Sequence, residues 1–135
     1  MAETLAVGTI LPELVRGPID RTTLALFAGA SHDHVRLHID SDYARDAGMG
    51  DVFAHGMLSM AYLAQALRSW APQDRIRRWN VRFTAITPLY ATVRCTGEVL
   101  EEIEMDGERA LRIAIAAFID DGTRTLAGEA LVAVA

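Results

Sequence analysis

The stretch from Phe53 to Trp70, FAHGMLSMAYLAQALRSW, is apolar or small on nearly every face and holds no acidic residue. A helix of that composition belongs inside a domain rather than on its surface. At 1.5 Å per residue it runs roughly 25 Å, close to the width of a small domain, so its neighbours must wrap it. The wrapper follows directly: from Ile76 to Val134 the chain reads as four β-rich runs of alternating Val, Ile, Thr and Phe. The pattern predicts an α+β fold in which one long buried central helix is wrapped by a curled antiparallel sheet. At the helix start, Ala54, His55 and Gly56 offer unspent backbone N–H groups and the positive dipole end to the polar stretch ASHDHVRLHID, residues 30–40.

Downstream of the helix, which Pro72 ends, Arg75 to Tyr90 alternates at the period of a strand. Trp79, Val81 and Phe83 fall on one face, Arg78, Asn80 and Arg82 on the other. Ala91–Glu104, Glu108–Ile119 and Thr123–Val134 read as three further strands. They are joined at Met105-Asp106-Gly107 and Asp120-Asp121-Gly122, which makes them antiparallel neighbours in a meander. Upstream, Leu5 to Leu14 is broken by Gly8 and Pro12 and reads as an edge strand or extended lead-in. Asp20 is placed to cap a short helix that Gly29 would stop, and Ser41 to cap a second one, ended by Gly48.

The totals fit one domain over residues 1–135: 51% of residues are hydrophobic, ample for a core, and no repeat or low-complexity segment divides the chain. The 13 basic and 18 acidic residues give a net charge of −5 with no basic run, which argues against nucleic acid as a partner. The start, MAETLAVGTILPEL, lacks the basic lead of a secretory signal, and no apolar run is long enough for a membrane helix. A soluble, cytoplasmic protein is expected. The single cysteine, Cys95, sits in the strand-like TVRCTGEV and is expected to be a buried small hydrophobe.

For chemistry, Asp33 and His38 are the best acid/base pair available. An irregular loop with this spacing lets both side chains converge on one water, although Asp and His are also common as solvated loop residues. His32, Asp33, His34 and His38 are ligand types for zinc or iron, but no HExxH motif or acidic residue on the long helix completes a shell, so no metal is expected. His55 taken alone is a helix-start residue with local hydrogen bonds. Gly56 reads either as a packing glycine or as the donor of an N–H to a carbonyl oxygen that turns negative during reaction. Arg77, Arg78 and Arg82 form either a solvated strand face or a set of phosphate contacts.

The residues from Leu26 to Ala61 resemble the MaoC-like, R-specific enoyl-thioester hydratases, a family of hot-dog folds whose signature reads approximately YxxxSGDxNPxHxD followed by AHGM. Ser31, Asp33, His38 and Asp40 match the first part, and Ala54, His55, Gly56 and Met57 the second. NVRFTAITPLY is similar to the family's strand after the helix. The resemblance implies a single hot-dog domain with Asp33 and His38 as the catalytic pair, Gly56 as an oxyanion-hole N–H and an acyl thioester as substrate. Ser31, His55 and Met57 would then lie at the substrate. Arg78 and Arg82 would meet the phosphates of a CoA, or the substrate would arrive on an acyl carrier protein. The reaction is reversible hydration of a 2-enoyl to a 3-hydroxyacyl thioester and needs no cofactor. A homodimer, or a heteromer with a related hot-dog subunit, is expected because a curled sheet of this size has open edges. The sequence departs from the signature at His32, Val35 and Arg36, where the family has glycine, asparagine and proline. These departures keep open a non-catalytic or weakly active partner subunit. A thioesterase is less well supported, since such enzymes want a carboxylate on or beside the central helix and Ala54–Trp70 has none.

Overall fold

The computed structural model describes residues 5–134, so the reading of the first residues of the chain lies partly outside the described part. In chain order its elements are β1 (Leu14–Arg16), α1 (Arg21–Ser31), α2 (Ser41–Asp46), α3 (Gly56–Trp70), β2 (Ile76–Phe83), β3 (Val93–Met105), β4 (Glu108–Phe118) and β5 (Arg124–Ala133). The five strands form one antiparallel sheet in the order β1-β3-β4-β5-β2. The apolar stretch becomes α3, which begins at Gly56 rather than Phe53. Phe53 instead bridges Pro88, and the Ala54 N–H donates to the Thr87 carbonyl at 2.9 Å.

The two Asp-Gly hairpins form as read. Asp106 and Gly107 both take left-handed backbone (φ 53° and 79°), the geometry that matches the twist of a tight hairpin. The three strands these hairpins join form the antiparallel meander β3-β4-β5, and β2 pairs with β5 at its far edge and not with β3. Trp79 lies opposite Ala130 and Phe83 opposite Leu126. This pairing demands glycine at 128, where a Cβ would stand 1.9 Å from the Asn80 carbonyl oxygen. The strand expected to reach Tyr90 therefore stops at Phe83, and residues 84–92 cross the fold, touching the start of α3 on the way.

One side of α3, with Leu58, Leu63, Ala66, Leu67 and Trp70, is buried against the inner face of the sheet, where Val99, Ile113, Ile115 and Ala130 are also buried. Cys95 lies on that face fully buried, and desolvation pushes its thiol up to about 12. Trp70 rests on Gly97, where a Cβ would come within 2.7 Å of the indole, and its Nε1–H donates to the Pro12 carbonyl at 2.7 Å.

Two helix ends differ from expectation. Asp20 caps α1 by accepting the Thr23 N–H, but the helix runs through Gly29 and stops at His32, whose backbone is left-handed (φ 62°). The cap of α2 is Asp40, accepting the Tyr43 N–H at 3.1 Å; Ser41 donates instead to Asp51 at 2.7 Å. The lead-in runs beside β3 through a lone bridge from Ile10 to Glu98 and becomes regular strand only at Leu14–Arg16.

Candidate active site

The loop between α1 and α2 carries the titratable residues. His32 occupies a left-handed position, which explains why glycine suits it; histidine is among the residues that tolerate such backbone. The Asp33 carboxylate accepts the Val35 N–H at 3.3 Å, a local turn that fixes the loop's direction. Arg36, standing where the family signature has proline, pairs with Asp40 at 3.3 Å and places its guanidinium 4.7 Å from the Tyr43 ring centre. Asp51 ties the loop's far end down, accepting from Arg21, Arg45, Ser41 and the Val52 N–H. Hydrogen bonds from Arg21 and Ser41 hold its carboxyl well below the usual carboxylate range.

This framework delivers Asp33 and His38 to the start of α3. One oxygen of Asp33 and one nitrogen each of His38 and His55 lie within 4.8 Å of one another. His38 Nδ1 is 2.8 Å from the Phe53 carbonyl oxygen. A carbonyl only accepts, so Nδ1 carries the proton and Nε2 keeps a lone pair. The His38 ring stacks on that of His55, with centroids 3.9 Å apart and planes 26° from parallel. His55 has no side-chain capping bond to α3. Among the described residues no acceptor takes the Gly56 or Met57 N–H, so both remain available at the dipole's positive end.

Two hollows flank this point and share Met57 in their walls. A cavity of about 320 Å³ is lined by His38, Gly56, Met57, Phe83, Ile86 and Thr87, with Ser59 and Thr125 among its further lining residues. A groove of about 440 Å³ is lined by Phe27, Ser31, Asp33, Met57, Met60 and Trp79. Met57, 53% exposed, borders both. Ser31 reaches the groove but donates its hydroxyl to the Phe27 carbonyl at 2.6 Å.

Asp33, His38, His55, Gly56 and Met57 are thus brought together, with Ser31 at the margin. Arg78 and Arg82 are not. They alternate with the inward Trp79 and Val81 and share a face with Asn80, opposite Leu131, Ala127 and Glu129 of β5, so neither lines the cavity beside His38. Sequence reasoning missed the crossing segment Ala85–Thr87 as a cavity wall, along with Phe27 and Asp51. The Pro88 break was a signal for the first; nothing in the local pattern marked the others.

A buried helix wrapped by a curled antiparallel sheet, with an Asp and a His side by side at the helix start beside an apolar hollow, defines a hot-dog domain. The chain belongs to the MaoC-like domain family, which matches residues 8–116. It is similar to R-hydratase PhaJ1 from Pseudomonas aeruginosa, at 30% identity and a TM-score of 0.82, covering 96% of this chain and 83% of that one. Its fold is also that of the ChsH1–ChsH2 complex from Mycobacterium tuberculosis, at 23% identity and a TM-score of 0.81, covering 98% and 100%. Nodulation protein N of Rhizobium leguminosarum bv. viciae is 30% identical over 100 residues, which are 69% of this chain and 62% of that protein, so the chain spans under two thirds of that relative.

Proposed function

We propose that this protein catalyses the reversible addition of water across the double bond of a 2-enoyl thioester, giving a 3-hydroxyacyl thioester. The observation that carries the reading is the meeting of Asp33, His38 and the uncapped start of α3 between two hollows that share Met57. Water must be deprotonated as it attacks C3, a proton must reach C2, and the thioester oxygen must be held as it becomes enolate-like. His38 and the Asp33 carboxylate, which offer polar atoms within 4.8 Å of one another, would share the two proton transfers through one water. The Gly56 N–H, aligned with the α3 dipole, holds the developing oxyanion; a donor of this kind is worth about 3 to 4 kcal/mol. Hollows on both sides of the pair suit a long substrate, with the acyl group in one and the thioester arm in the other. The test is purified protein with a crotonyl thioester, followed by loss of enoyl absorbance. No turnover on CoA or acyl carrier protein thioesters of several chain lengths would refute it.

A second reading, a partner subunit in a mixed hot-dog assembly, is favoured by one observation. The outer edge of β2 has no strand partner among the described residues, and a structurally similar protein is a two-chain complex. Under this reading the chain alone is inactive and gains activity when a related subunit is added.

A further inference from the structure

His55, at the residue before α3, is one of the most enclosed polar residues here, at 2% exposure, yet it lines neither hollow. Three contacts clamp its ring. Nε2 lies 3.1 Å from the backbone carbonyl oxygen of Asp33, one face lies on His38, and Phe27 of α1 meets it nearly edge-on with centroids 5.0 Å apart. Because the Asp33 carbonyl only accepts, Nε2 carries the proton and Nδ1 is the bare nitrogen. Nδ1 is buried and has no hydrogen-bond partner among the described residues. Protonating it would leave a charged donor without an acceptor, stacked on a second imidazole. Burial moves its pKa down; the backbone bond to Asp33 works against this, the nearby His38 ring adds to it, and the Asp33 charge has the least effect, upward.

We propose that His55 is a positioning residue for the Asp33/His38 pair and not a contact for substrate: its Nε2–H holds the Asp33 main chain and its ring plane holds the plane of His38. The inference rests on the hydratase reading above for what the pair does, but the clamp itself is independent of turnover. Together with the Phe53 carbonyl on Nδ1, the stack leaves His38 Nε2 a single direction. The enclosed Nδ1 of His55, with no acceptor beside it, disfavours a second positive charge next to His38. A displacement on the order of 1 Å at such a pair lowers turnover about a hundredfold without weakening binding.

Ring ¹H–¹⁵N spectra of the unmodified protein at neutral pH are the first test, with His55 expected neutral and protonated on Nε2, and His38 protonated on Nδ1. His55→Ala should lower kcat by about ten- to a hundredfold with KM within about twofold, and should convert His38 to a mixture of tautomers. His55→Phe, which keeps the plane, and His55→Gln, which keeps a donor, should each recover part of the loss. A proton on Nδ1 of His55, a variant effect confined to KM, or full activity in His55→Ala would each overturn the proposal. If His55→Ala does not fold, the other two variants and the unmodified spectrum decide. If the unmodified protein turns over no enoyl thioester, the hydratase reading falls, and the spectra alone test the clamp.

Discussion

Gly56 has two possible duties, room and a donor, and a pair of substitutions separates them. A methyl at this position would sit 3.0 and 3.1 Å from two ring carbons of Phe83. Phe83 is 55% exposed at the end of β2, so its ring can turn aside at a cost of about 0.5–1.5 kcal/mol. Alanine restricts the unfolded chain and returns about 0.4–1 kcal/mol, so Gly56→Ala should change stability by no more than about 1 kcal/mol. Proline adds one further change. Gly56 is the first helical residue, where no intrahelical bond uses the N–H, and His55 at φ −60° and ψ 135° already has the backbone a residue before proline prefers. Gly56→Pro therefore deletes the N–H while leaving α3 formed. If that N–H holds the oxyanion, kcat should drop about 10²–10³-fold from the alanine to the proline variant. Initial rates with crotonyl-CoA, with circular dichroism to verify the helix, give the ratio. A proline variant within about threefold of the alanine variant would refute the donor role. An equal loss in both would show that the glycine serves only to make room beside Phe83.

Asp33→Asn and His38→Ala should each cut turnover by at least about a hundredfold at nearly unchanged melting temperature; near-native turnover in either removes that residue from the pair. Gly97→Ala drives a methyl into a Trp70 ring pinned by Pro12, and should cost about 1–3 kcal/mol in denaturant melts while the folded fraction keeps its kcat. The depressed carboxyl of Asp51 stabilises the fold at pH values above the unfolded carboxylate range, and that contribution is lost as pH falls through the lower folded value. The melting temperature of Asp51→Asn should thus lie below that of the unmodified protein from pH 8 to about 5, with the gap closing below about pH 4. Light scattering should find a dimer or a larger even-numbered assembly, and a stable 14.7 kDa monomer at micromolar concentration would count against it.

What was legible in the sequence was whatever a short window decides. The apolar length of residues 53–70 located the buried helix, and Asp106-Gly107 fixed a hairpin because two successive left-handed residues leave little choice. The convergence of Asp33 and His38 was readable from a motif. The place of β2 was not, because strand order depends on which edge remains after β3, β4 and β5 have paired, and that is a property of the assembled sheet. The same reason hid the cavity wall at Ala85–Thr87, formed by a segment that acquires its neighbours only by crossing the fold. Arg78 and Arg82 were correctly read as sharing a face; alternation could not say that the face looks away from the helix.

The enclosure of Cys95 has a practical use. With its thiol pushed up to about 12 it is held as the unreactive thiol at neutral pH, and the sulfur is sealed beneath the sheet. Any cysteine introduced at an exposed position would therefore be the one thiol that reacts with a maleimide in the native protein. A spin label or fluorophore at residue 57, which borders both hollows, can be installed without first removing the natural cysteine, and would report whether a ligand enters either hollow.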